Sequence, residues 1–420
     1  MPYTHLEKSE RKIGRWGTIV LFNLFVVAML GVLLRSKILF PIEVFNFKYI
    51  LNAHSHFAFG GWISLSLIVL LVYEILPPEL SDKPVYQWLF GSALFNAWGM
   101  LLSFPFQGYG FYSILFSALF TLTTYVFSWV FIKDLLKVEG NTAVKLLSVT
   151  ALISLVLSSI GPIALGYLVS SHSHDTLLNR DAIYTYLHLQ YNGCFSLAVF
   201  ALLIHRFGKD AGPVFERNAK RVAAILVLGV LPTLFLSYLW HYPNLFVRSI
   251  SLIGCASLLL ALVWVIMLIR SLGPKISALP GLIKSLVFFS MLAFGMKVVM
   301  QCGVVVPAIG DLVFANRPII IGYLHLIMLG FLSLYLMAHF CRLGLLDVHD
   351  RLTRIAVLFF LIAVIGNEAI LMVQGIMAFF MMGSQLFQWY LWYAAIGLLL
   401  SALLLVASRL RSGAHTASLL

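Results

Sequence analysis

The chain reads as an all-α, polytopic integral membrane protein: about twelve transmembrane helices forming one bundle over residues 1–420, with both termini in the cytoplasm. Three observations lead there. Hydrophobic residues make up 61% of the chain and charged residues 10%, against roughly a quarter charged in soluble domains. The mean hydropathy is +0.98. Apolar runs of about 20 residues, the length one bilayer crossing needs, recur along the whole sequence between short polar or Pro/Gly breaks.

The runs lie near 17–35, 49–76, 86–106, 111–132, 146–170, 183–204, 222–241, 249–269, 284–307, 318–340, 355–376 and 386–408, numbered below as spans 1 to 12. The first sixteen residues are polar and charged, and no small-residue cleavage site follows the first apolar run. That predicts a first transmembrane helix rather than a removed signal peptide. Lys and Arg decide the orientation. With the N-terminus inside, 21 of the 28 fall on inside segments and 6 outside, with Lys297 within a span. Excess basic charge on cytoplasmic loops is the rule for membrane proteins. It accounts for the net charge of +12 without nucleic acid, and it predicts a multi-pass protein of a bacterial inner (cytoplasmic) membrane with lipid as its first partner. The four cysteines, Cys194, Cys255, Cys302 and Cys341, lie in or beside apolar runs without a CxxC pair. They read as small core residues.

The twelve histidines divide by depth. His5, His205, His339, His349 and His415 fall at cytoplasmic ends or tails. His54 and His56 lie one to two turns into span 2 from outside, His188 similarly in span 6, and His325 about two turns into span 10. His241 ends span 7, and His172 and His174 lie just past the outer end of span 5. At 1.5 Å rise per residue the intramembrane histidines share a layer within roughly 10 Å of the outer boundary. Ionisable residues inside a span are costly and mark function, and neutral imidazole is the commonest metal ligand.

Each lies in a dense local pattern. Span 2 reads Asn52-Ala53-His54-Ser55-His56-Phe57-Ala58-Phe59-Gly60-Gly61-Trp62. Residues two apart on a helix point about 200° apart, so His54 and His56 do not face one metal. One is expected to meet haem iron and the other a second site or a propionate. The Gly60-Gly61 pair admits a flat group or a second helix. In span 6, His188, Tyr191 and Asn192 share a face at i, i+3, i+4, with Tyr184 completing the stripe. In span 10, Pro318 suits a first helical turn, and Gly322 lies on the face of His325.

Twelve spans with histidines on helices 2, 6, 7 and 10 near the outer face resemble the haem-copper oxidase superfamily: oxidase catalytic subunits, nitric oxide reductases and more distant NnrS-type membrane proteins. The His188-Leu189-x-x-x-Gly193 stretch is similar to the nitric oxide reductase form of helix 6. The resemblance implies haem, b-type, held by His54 or His56 together with His325. It implies a second metal, copper, at His188 and His241, and a propionate contact at Arg317, with Arg180 a further candidate. It also implies a diatomic gas, nitric oxide or oxygen, bound or reduced near the outer face, with electrons from a cytochrome or quinol donor or through a partner subunit. The chain departs from the pattern in three places. Helix 7 offers one histidine instead of two, and so does helix 10. The position of the family's redox Tyr or Glu is Asn192, with Tyr191 one earlier. Tyr191 and Asn192 are therefore the candidate catalytic residues of a divergent relative.

Further polar residues lie at mid-bilayer: Lys297 with Gln301 in span 9, and Glu368 beside Asn367, with Gln374 beyond, in span 11. Each is expensive there unless paired, and a Lys297–Glu368 pair or an ion route is expected. No acidic ladder leads inward from the cytoplasmic side, which speaks against a proton pump. Two other readings compete with the haem protein. One is a metal-free transporter running through Lys297, Glu368 and the histidines. The other is a haem- or copper-handling assembly factor.

Overall fold

The computed structural model describes residues 5–209 and 211–418, and the side chains of these except residues 5–11, 379 and 412–418. His5 and His415, and the basic Lys8 and Arg11, fall outside the described side chains. The chain is 86% helical, with no strand among the described residues, and twelve helices are long and apolar enough to cross a membrane. They are span 1 Lys12–Leu39, span 2 Phe47–Ile75, span 3 Pro84–Gln107, span 4 Phe111–Leu135, span 5 Thr142–Ser170, span 6 Thr176–Gly208, span 7 Gly212–Ser237, span 8 Leu245–Ser271, span 9 Gly281–Gly303, span 10 Arg317–Arg342, span 11 Arg351–Ala378 and span 12 Leu386–Arg411.

Local chemistry fixes the starts. The side chains of Asn46, Asp175, Asn244 and Asp350 accept hydrogen bonds from the first backbone N–H groups of spans 2, 6, 8 and 11, which have no partner inside the helix. Pro84 and Pro318 stand in first turns, where a missing N–H costs nothing. Spans 6 and 7 differ most from the sequence reading. Capping by Asp175 makes the polar Asn179-Arg180-Asp181 stretch helical, so span 6 starts seven residues earlier than expected. Span 7 holds Pro232, changes to a 3₁₀ turn at Phe235–Ser237 and stops there, leaving His241 in the following turn rather than at its end.

The spans form a ring around a centre. Span 12 packs on span 1, span 1 on span 2, span 2 on span 3, and so on through spans 4, 5, 7, 8, 9, 10 and 11 back to span 12. Span 6 stands inside and touches spans 2, 5, 7 and 10. Most spans keep about half or more of their apolar window facing outward, as lipid contact requires, but span 2 is 89% and span 6 is 94% buried. Spans 1 and 12 pack antiparallel, with Arg409 beside Thr18 and Trp392 donating to Ser36. The start of span 1 and the end of span 12 therefore lie at one end of the bundle, opposite the intramembrane histidines.

Spans 2, 6 and 10 share one irregularity. Each changes from α- to π-helix immediately past its histidine: Ala58–Ser64 after His54 and His56, Leu189–Phe195 after His188, and Leu326–Ser333 after His325. The π segments of spans 2 and 6 both meet that of span 10. Such a changeover disturbs the i→i−4 ladder, and in a membrane any freed carbonyl needs an internal donor. Side chains supply them: Asn23 donates to Gly61 O at 2.7 Å, Ser290 to Phe331 O at 2.7 Å and Ser333 to Met328 O at 2.7 Å. Trp62 in turn donates to the Ser333 hydroxyl at 2.8 Å, tying span 2 to span 10.

Candidate functional site

His54 and His325 lie within electrostatic range of each other. His54 faces span 1, where its Nδ1 donates to Val27 O at 3.1 Å. It also lies within electrostatic range of Arg35. The His325 Nδ1 donates to Ile321 O at 2.9 Å, one turn back on its own helix. A carbonyl only accepts, so each ring carries its proton on Nδ1 and presents the Nε2 lone pair. A ring held in this way through its other nitrogen is in the tautomer and orientation that metal-binding histidines use. Neither Nε2 has a hydrogen-bond partner among the described residues, and both rings are half-buried. Gly31 supports the pair. A Cβ there would lie 3.5 Å from His54 Cε1, so the position leaves room beside the ring that a longer side chain would fill.

Arg35 stands one turn beyond Gly31 on the same face. It is half-buried, acts electrostatically on both His54 and His325, and has no carboxylate partner within ion-pair distance among the described residues. The sequence reading overlooked it in favour of Arg317, which is exposed, and Arg180, whose guanidinium lies over the Trp240 ring at 4.4 Å. Its signal was its spacing from Gly31, which acquires meaning only once span 1 is known to face His54.

His56 points away, as the two-residue spacing requires. Its ring stacks on Phe104 with centroids 4.6 Å apart, and its Nε2 pairs with the Tyr109 hydroxyl at 3.1 Å.

His188 and His241 do not make a metal pair. The His188 Nε2 donates to Val230 O at 2.8 Å, and its Nδ1 accepts from the Asn192 amide at 3.0 Å. Both nitrogens are occupied and the ring is fully buried. His188 is the thirteenth residue of its helix, about 18 Å from the start, against about 10 Å for His54 and 12 Å for His325 measured along theirs. The His241 Nε2 pairs with Asp181 at 3.0 Å, seven residues and about 10 Å before His188 along span 6. His172 and His174 are exposed in the turn between spans 5 and 6. Among the described residues no group of three His, Cys, Asp or Glu side chains is placed to hold a metal ion. His54 and His325 each present a free Nε2, whereas His188 and His241, each satisfied by other partners, do not fit a shared copper centre.

Tyr191 and Asn192 divide their work. Asn192 orients His188, with its own Oδ1 unbonded. Tyr191 packs edge-on against Tyr323 at 6.0 Å, and Tyr323 donates to Gln301 at 3.2 Å. Tyr323 stands two residues before His325. Lys297 is fully buried, with its ammonium 5.7 Å from the Phe294 centroid. It makes no ion pair with Glu368, whose carboxylate accepts from Asn367 at 3.1 Å. The expected Lys297–Glu368 pair does not form.

The opposite end of the same three spans carries a cluster that the sequence reading did not anticipate. Glu74 of span 2 lies 3.5 Å from Arg206 of span 6 and 3.5 Å from His339 of span 10. Around it, Tyr335 Oη and an Arg342 Nη are buried without hydrogen-bond partners. Glu74 reads in sequence as the polar end of a span, and nothing there shows its partners.

No protein-family model matches the chain, and no curated protein matches it.

Proposed function

We propose that this chain is a haem-binding membrane redox protein, a b-type cytochrome in which one haem is held between His54 of span 2 and His325 of span 10. The observation that carries this reading is the matched pair of imidazoles, each with Nδ1 fixed on a backbone carbonyl and Nε2 without a partner. A bound haem would supply one-electron redox chemistry. The chain's own residues would do the rest. Val27 O and Ile321 O keep each ring in the tautomer that ligates, and Gly31 leaves the space beside His54. Arg35 offers a half-buried cation to a propionate, the role first assigned to Arg317. With the basic residues taken as inside, this end of the bundle faces out.

Held by both His54 and His325, a bound haem would favour electron transfer over gas binding, and His188 and His241, each satisfied by other partners, offer no second metal site for reducing oxygen or nitric oxide.

The test is an air-oxidised and dithionite-reduced visible spectrum with metal analysis on the same purified sample. Sharp reduced bands, lost in His54→Ala and in His325→Ala but kept in His56→Ala and His241→Ala, are the expected result. A colourless protein purified from haem-replete cells overturns the reading. An assembly factor would show the same bands but release its haem to an apo-acceptor protein.

A further inference from the structure

A cavity of about 280 Å³ lies at the histidine end of the bundle, where span 5, the first turns of span 6 and the turn after span 7 meet. Ile160 and Ala164 of span 5, Asp181 and Thr185 of span 6, and Tyr238 and Tyr242 beyond span 7 line it. Ile160 and Tyr242 are each 53% exposed and mark its open side. Asp181 stands two residues before the apolar run of span 6 begins. Its carboxylate therefore lies where head groups meet the hydrocarbon layer.

The polar groups of this cavity accept hydrogen bonds and have almost none to give. The His241 Nε2 donates to Asp181 Oδ2 at 3.0 Å. The other carboxylate oxygen, Oδ1, is buried and has no hydrogen-bond partner among the described residues. A buried acceptor left in that state is costly. The two nearest hydroxyls do not relieve it. Thr185 donates its proton to the Asp181 backbone carbonyl at 2.7 Å. Tyr238 shares a hydrogen bond with the Thr185 oxygen, so it is Tyr238 that donates there, and its own oxygen keeps a lone pair. Tyr238 lies within electrostatic range of Asp181. No Lys, Arg or His lines the walls, and the neighbouring Arg180 is turned onto the Trp240 ring at 4.4 Å. An anion therefore finds a carboxylate and no counter-charge. The phenol rings of Tyr238 and Tyr242 add electron-rich surface, which favours a cation. A quaternary ammonium has no N–H to give the free oxygen, whereas a primary ammonium has three.

We propose that this cavity binds a primary ammonium group on a short alkyl stem, with one N–H donated to Asp181 Oδ1, a second to Tyr238 Oη, and the stem against Ile160 and Ala164. Two sources carry this chemistry at that depth: the ethanolamine head group of a phospholipid, entering past Ile160, and a free alkylamine from the water outside. Binding here is independent of haem.

The experiment uses the full chain in phosphatidylcholine nanodiscs and a diazirine-bearing hexylamine as photoprobe. Labelling is expected in peptides covering 160–164 and 178–185, competed by hexylamine but not by hexanol or tetramethylammonium. Asp181→Asn keeps the shape and removes the charge, and should raise the competing concentration about tenfold. Ala164→Phe fills the cavity, leaves the carboxylate in place and should abolish labelling. Replacing part of the phosphatidylcholine with phosphatidylethanolamine decides the source. Protection from the probe assigns the site to the lipid head group, and labelling that persists while hexylamine still competes assigns it to a free amine. Labelling that hexanol competes equally, that Asp181→Asn leaves unchanged, or that spreads over all lipid-facing helices shows an apolar cleft only and overturns the proposal.

Discussion

Gly31 gives the sharpest test of the proposed histidine pair, because a substitution there alters the space beside His54 without changing His54 itself. A Cβ at this position lies 3.5 Å from His54 Cε1, an ordinary van der Waals contact. Gly31→Ala should therefore leave the site intact. A leucine extends two bonds further toward the same ring and overlaps it, so Gly31→Leu must push His54 away from Val27 O. The lost hydrogen bond is worth about 0.5–1.5 kcal/mol by itself. Its larger effect is on ligand orientation, where losing an outer-shell partner costs about ten- to a hundredfold in metal affinity, or about 1.4–2.7 kcal/mol. The assay is titration of haem into the stripped protein by Soret absorbance, with the haem-to-protein ratio read independently as the pyridine complex. Equal melting of the two variants by circular dichroism shows that the bundle is intact. If Gly31→Leu binds haem with wild-type affinity and unchanged reduced bands, His54 is not a ligand and the argument from its carbonyl contact fails.

Other consequences are as direct. If His54 and His325 both hold the haem as proposed, carbon monoxide should not shift the reduced spectrum of the wild-type protein and should shift that of any His325→Gly protein that retains haem through His54; a shift in the wild type refutes double histidine ligation. Glu74→Gln removes the carboxylate that Arg206 and His339 share. Breaking a buried pair costs several kcal/mol, and the partial exposure of Arg206 reduces this to about 1–3 kcal/mol, measurable as a lower melting temperature in detergent; an unchanged value shows that the cluster contributes nothing to stability. Asp350, at the start of span 11, has its carboxyl held below its usual range, first by the Thr353 backbone N–H. The sign is that of a depressed acid: its contribution is present above the ordinary carboxylate pKa near 3.8 and is lost as pH falls through the lower folded value. Asp350→Ala should lower stability at neutral pH and narrow the gap to wild type as pH falls below 4; a gap that stays constant into strong acid refutes the assignment.

Much of this was legible in residue order, because a bilayer imposes its own period. The length of each apolar run and the distribution of Lys and Arg give the twelve crossings without tertiary information. Side-chain direction was legible over short spacings: His54 and His56 had to diverge, His54 toward span 1 and His56 onto Phe104. Longer relations were not. His188 reads as a ligand because it sits on a polar stripe, yet that stripe is what satisfies it, since Asn192 four residues on and Val230 across the interface occupy both nitrogens. Arg35 and Glu74 were missed for a related reason. Arg35 lies at a span end, where basic residues are ordinary, and Glu74 reads as a polar terminus. Their significance comes from partners on other helices.

The π-helical segments explain why the histidine-bearing spans converge as they do. One extra residue per turn displaces the side chains that follow by about 100° relative to an α-helical continuation. In spans 2, 6 and 10 that displacement comes directly after the histidine. The α-helical part above can aim its histidine toward one neighbour while the part below packs on another. Trp62 and Ser333 show the lower part at work, joining span 2 to span 10 below the level of His54 and His325. A regular α-helix through Ala58–Ser64 would rotate Trp62 away from Ser333 or His54 away from Val27. Keeping both contacts requires the irregular segment, and Asn23, fully buried and donating to Gly61 O, satisfies a carbonyl within it. Asn23→Leu should therefore disturb the haem bands although Asn23 touches neither histidine. A spectrum unchanged by that substitution would mean that the π segment serves packing alone.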